Sequence, residues 1–148
     1  MSDIDALIRM RNRFLALSAT SFLVWQGMQI VQEIFPDSGA YGLLTLLALV
    51  GSLGFAGAMV MFLVYASRVT RTNTQATIQD ELFDHNQAGA VRIAYIALMA
   101  AVVALYVLTD FVELNVELMI RGLLIVGVCV PQFAFLILDR QDGDGGVE

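Results

Sequence analysis

The chain has 148 residues, 58% of them hydrophobic and 15% charged, with a net charge of −6. Soluble proteins average about 45–50% apolar and about 25% charged residues, so a small globule in water could not hide this much apolar surface. The acidic balance, with no basic stripe, excludes direct nucleic-acid contact, and the single cysteine, Cys129, excludes an intrachain disulfide and a CxxC redox site.

A membrane-spanning helix needs roughly 20 predominantly apolar residues. The first stretch that qualifies covers about 14–35. Its apolar part exceeds the about 7–15 residues of a signal-peptide core, and no small-residue cleavage pattern follows, so it is expected to be retained. Gln26, Gln29 and Glu33 stand at i, i+3 and i+7, on one helix face with Ala19 and Phe22. Gln32 points about 120° away from Gln26. Trp25 lies deep in the span and reads as packing.

Pro36-Asp37-Ser38-Gly39 is turn chemistry and leads into a second span, about 41–66. This span carries a ridge of small residues: Ala48, Ser52 and Ala56, with Gly51, Gly54 and Gly57 beside them. Small residues let helix backbones approach closely in lipid. The ridge suits packing within the bundle, or alternatively a dimer face.

The segment "RTNTQATIQDELFDHNQAGAVR" follows, the one sizeable stretch outside the spans. Thr72 to Gln75 fits a capping box, and Thr77 with Asp80 offers a second helix start. A helix over about 72–88 is expected to run straight into span three. Ile78, Leu82 and Phe83 form its apolar side. Asp80, Glu81, Asp84, His85 and Asn86 supply the polar surface. With Phe83, these five are the candidate partner-binding residues. Glu81 and His85 are spaced i, i+4, but two ligands do not make a site where structural zinc usually takes four, so no metal is expected.

The third span covers about 88–109, with Ala90, Ala94, Ala97 and Ala101 at helical spacing. A fourth covers about 118–138. There Glu117, Arg121, Ile125, Val128, Gln132, Phe135 and Asp139 follow i+3/i+4 steps, a stripe that matches the face on span one. If spans one and four are neighbours with Glu33 level with Arg121, Gln132 falls about one turn below Gln26. Gln26, Gln29, Glu33, Arg121 and Gln132 are therefore the candidate polar seam. It can be read as a structural staple, a small-molecule pocket or a contact to another membrane protein. The last residues, 141–148, read as a disordered acidic tail. Asp142, Asp144 and Gly145 lack the remaining acids of a calcium loop.

Arginine sets the expected orientation. All eight basic residues are Arg. Arg9, Arg11 and Arg13 precede span one, Arg68, Arg71 and Arg92 flank the middle connection, and Arg140 follows span four. The other two loops, "EIFPDSG" and "DFVELNVE", carry acids and no base. Both termini and the middle connection should then face the cytoplasm, with Arg121, just inside the outer end of span four, as the exception. The fold expected is all-α: an integral-membrane, up-down four-helix bundle over 1–140 with a cytoplasmic helical extension before span three.

No catalytic residues or cofactor are expected. The single His, His85, lies outside the spans, where it cannot serve as a haem ligand between helices. No Gly-rich phosphate loop or GxSxG elbow occurs. The size and span number resemble the small four-helix multidrug transporters, but that family places an essential Glu in the middle of span one. Here the acid is Glu33, at the span's end, and the middle connection is longer.

The Trp25-Gln26 pair, "DELFDHNQ" before span three and "RGLLIVGVCVPQFAFLILDR" in span four resemble small four-span inner-membrane proteins of uncharacterised function from proteobacteria. That resemblance spans most of the chain. It implies a bacterial inner membrane and supplies no site residues. The leading expectation is a non-enzymatic accessory or regulatory protein that binds a protein partner through the cytoplasmic helix. One alternative is a small-molecule binding or transport subunit, for a quinone, lipid or organic cation, that uses the polar seam. Another is an architectural homodimer.

Overall fold

A computed structural model describes residues 3–37, 39–72, 81–113 and 115–144. They form four helices: α1 (Asp3–Ile34), α2 (Tyr41–Thr72), α3 (Glu81–Leu108) and α4 (Val116–Asp144). All four are long and apolar enough to cross a membrane, by length and composition, as a multi-pass helical membrane protein requires.

The helices outrun the predicted spans. α1 starts at Asp3, so Arg9, Arg11 and Arg13 lie inside the helix and not ahead of it. Nothing between Asp3 and Phe14 breaks a helix, since there is no Gly or Pro there. α4 runs to Asp144 and takes residues 141–144 out of the segment expected to be disordered. α3 is helical from Glu81, without a break into the apolar stretch that begins at Phe83. Residues 73–80, including Asp80 and the predicted caps after Thr72, lie outside the described residues.

α1 pairs with α2, α3 pairs with α4, and α1 packs on α4; α2 and α3 do not pack along each other. The helices thus stand in the order α2–α1–α4–α3. One end of the molecule carries the outer ends of the chain's helices, Asp3, Thr72, Glu81 and Asp144 (the termini end). The other carries the two hairpin turns (the turn end). At the turn end Asn115 caps α4, its side-chain oxygen accepting from the Glu117 N–H at 3.1 Å. Gln32 donates to Thr45 Oγ1 at 2.7 Å and so ties α1 to α2, on a different face from Gln26.

The small-residue ridge on α2 divides. A Cβ at Gly51 would sit 2.7 Å from the Trp25 backbone nitrogen, and one at Gly54 would meet the Ser21 side chain. Ala48 and Ala58 are buried beside them. Gly57 has nothing within 4 Å of a built Cβ and, like Ala56, is exposed. The ridge therefore serves mainly the α1–α2 contact. Phe22, Trp25 and Phe55 complete it, with ring centroids 5.2–6.2 Å apart.

Sidedness is the reverse of a soluble protein. Leu53, Leu63, Tyr95 and Tyr106 are exposed, while Arg11, Ser18, Ser21, Gln26 and Asn86 are buried. Lipid enforces this arrangement: apolar groups gain nothing by hiding from it, and polar groups must find partners inside.

Candidate functional site: a polar seam with an arginine at each end

The α1–α4 interface is a polar seam with one constant register. Arg11 meets Asp139, Ser18 meets Gln132, and Gln29 meets Arg121. Each step up α1 equals the step down α4, as two antiparallel helices require. Between them Cys129 Sγ donates to the Ala19 carbonyl at 3.4 Å.

At the turn end, Arg121 donates to Gln29 and to Glu117, reaches Gln26 Oε1 at 3.5 Å, and lies with Nε 4.0 Å from Glu33 Oε2. That Nε is buried without a hydrogen-bond partner. Asn115 Nδ2 donates to Glu33 Oε1 at 2.7 Å, a partner that pattern reading missed. Four of the five residues predicted for the seam thus come together: Gln26, Gln29, Glu33 and Arg121.

The fifth does not. Gln132 accepts from Ser18, whose hydroxyl also lies 3.1 Å from the Leu15 carbonyl. The register is one turn away from the expected one, with Gln29 and not Glu33 level with Arg121. The reason is the direction of helical side chains. They lean toward the helix N-terminus, so Arg121 reaches up α4 toward Glu33 from a level below it.

The termini end holds a second arginine site. Arg11 is 6% exposed. Its guanidinium donates to Asp139 Oδ1 at 2.8 Å and to Asn12 Oδ1 at 3.1 Å. Asn12 Nδ2 donates to the other Asp139 oxygen at 2.7 Å. The Arg11 guanidinium carbon stands 5.1 Å from the Phe83 ring centroid and 4.9 Å from that of Phe135, and the two rings meet edge to face at 5.5 Å. Arginine suits such a place, because its planar charge can stack and form a fork at once. The sequence placed Asp139 on the α4 stripe, but Arg11 carried only the signal of a flanking base.

This site decides where the candidate partner residues go. Phe83 is held against Phe135 and Arg11, and Asn86 is 3% exposed. Both face the bundle. Asp84 and His85 are exposed. Asp80 and the side chain of Glu81 lie outside the described residues. Next to Asp84, the outer face of α3 presents Gln87, Ala88, Val91, Arg92 and Tyr95 around a shallow groove. These follow i+3/i+4 spacing, the pattern of a helix-packing stripe. Among the described residues neither Asp84 nor Arg92 has a hydrogen bond or ion pair.

No three His, Cys, Asp or Glu side chains cluster as metal ligands among the described residues. Fold and seam together define a class, a multi-pass four-helix membrane protein with an internally paired polar interface. No family model, curated protein or solved structure matches the chain.

Proposed function

We propose that this is a non-enzymatic protein of a bacterial inner membrane, with both termini in the cytoplasm, that binds a protein partner through the first turns of α3. The observation that carries the reading is Arg92. It is exposed on a spanning helix, on a face with Asp84, Ala88 and Tyr95, and has no partner among the described residues. A charged side chain within a span costs about 2.5–3.5 kcal/mol at mid-bilayer on insertion scales, less near the interface. A partner helix that brings an acid to Arg92 would offset that cost. Ala88 would let its backbone come close. Orientation rests on the arginines: Arg9, Arg13, Arg68, Arg92 and Arg140 are exposed toward the termini end, where the positive-inside bias puts the cytoplasm.

Relative to the sequence reading, the surface moves along α3. Asp84 and His85 stay in it, Phe83 and Asn86 turn inward, and Arg92 and Tyr95 join. The seam is the weaker place for a ligand, because Gln26, Gln29, Glu33 and Glu117 already surround Arg121.

The test is photocrosslinking in native membranes. A photoreactive residue at Ala88 or Tyr95 should give one adduct of fixed mass that Arg92→Glu abolishes. The same probe at Leu53 or Leu63, on the lipid-facing side of α2, should give none. Equal adducts from both helices, or adducts indifferent to Arg92→Glu, would count against the reading.

A further inference from the structure

α2 and α3 do not pack along each other, and the space between them at the termini end is a cavity of about 390 Å³. All four helices line it. On one side stand Phe14, Phe62 and Tyr65, with Phe14 5.4 and 5.5 Å from the other two rings. On the other stand Phe83 and Phe135.

Two polar side chains line this aromatic cavity from facing helices, Tyr65 of α2 and Gln132 of α4, and a third, Gln87 of α3, is exposed and also borders the outer groove. Tyr65 and Gln87 make no hydrogen bond to any described residue, and Gln132 uses only its oxygen, on Ser18. Polar groups left unengaged at membrane depth are costly, and convergent polar groups in an apolar pocket are the usual form of a ligand site. Arg11 also lines the cavity, but Asp139 neutralises it at 2.8 Å. The walls therefore favour neither an anion nor a cation.

We propose that this cavity binds a neutral, flat, carbonyl-bearing lipophile of the quinone class. The ring lies between the two aromatic walls. Its carbonyl oxygens accept from the Tyr65 hydroxyl and from the side-chain amides of Gln87 and Gln132. Its apolar tail leaves through the gap between α2 and α3 into lipid. The volume falls within the about 300–1,000 Å³ of small-molecule pockets. A phospholipid is the poorer occupant, since its phosphate would find no uncommitted cation here. The site is separate from the α1–α4 seam around Arg121, and it shares Gln87 and Val91 with the edge of the Arg92 face.

The experiment uses the full chain in phosphatidylcholine nanodiscs. The probe is a 1,4-benzoquinone with one isoprenoid unit and a photoreactive azide. Expected are labels on peptides that contain Phe62–Tyr65 and Pro131–Phe135, displaced by excess unlabelled quinone but not by an alkyl phosphocholine. Tyr65→Phe and Gln132→Leu, each losing one hydrogen bond, should weaken that displacement about three- to tenfold. Tyr65→Phe keeps the ring and so isolates the hydroxyl from packing. Label spread over lipid-facing positions without competition would overturn the proposal. So would equal displacement by the phosphocholine, or wild-type displacement in both variants.

Discussion

The two ends of the α1–α4 seam solve one problem, a cation inside a lipid-embedded bundle, in different ways. Arg121 is met by oxygens of α1 and of its own helix, and 23% of its side chain remains exposed. Arg11 is almost wholly enclosed. It has a carboxylate from α4, an amide from α1, and a ring on each of α3 and α4. Arg121 therefore sets the register of two helices. Arg11 fixes three, and through Phe83 it anchors the start of α3. Hydrogen bonds and ion pairs alone leave Arg121 partly exposed; two added rings enclose Arg11 and tie it to the start of α3.

Removing each cation in turn should separate the two ends most clearly. Arg11→Ala removes a nearly enclosed guanidinium from Asp139, whose own side chain is 23% exposed, and should cost about 2–4 kcal/mol, toward the range for breaking a buried pair. Reversible unfolding in mixed micelles reads it. A loss no larger than that of Arg121→Ala would erase the distinction between the ends. Apolar packing supplies a yardstick. Gly51→Val forces a side chain against the Trp25 and Ser21 backbone and should cost about 1–3 kcal/mol by overpacking. Gly57→Val, on the open side of α2, should stay within about 0.5 kcal/mol.

A finer probe is Arg11→Lys. It keeps the charge but loses the planar stack and the fork, so about 1–2 kcal/mol should be lost in the same assay. No loss would mean that the rings contribute nothing beyond packing. Among the arginine changes the smallest effect belongs to Arg121→Ala. Its pair is partly solvated, and hydrogen bonds between membrane helices average about 0.6 kcal/mol, so about 1 kcal/mol is expected. Insertion and helix content, by circular dichroism, should not change.

How legible each end was in the sequence follows from the same contrast. Gln26, Gln29 and Glu33 stand out as polar residues at helical spacing in an apolar run, and Arg121 stands out on the facing stripe. Polarity in an apolar background was the signal, and the structure brings those four together. Arg11 had no such contrast. It sits among Arg9, Asn12 and Arg13, where a base reads as an orientation signal. What singles it out is that it faces α4 while Arg9 and Arg13 are exposed, which depends on how far α1 extends. Phe83 was misleading for a related reason. An aromatic in a polar segment suggests a docking surface, yet here it is the ring that covers Arg11. The four spans were readable from length and hydropathy. Their neighbours were only partly so, since α2 and α3, next to each other in the chain, do not pack together.

Arg11 and Phe83 act as one joint between α3 and the seam. A double-mutant cycle with Arg11→Ala and Phe83→Ala, measured by reversible unfolding, tests it most directly. A coupling of about 1–2 kcal/mol, the scale of a desolvated cation–π contact, is the predicted result. Losses that add to within about 0.5 kcal/mol would show two independent residues and contradict it.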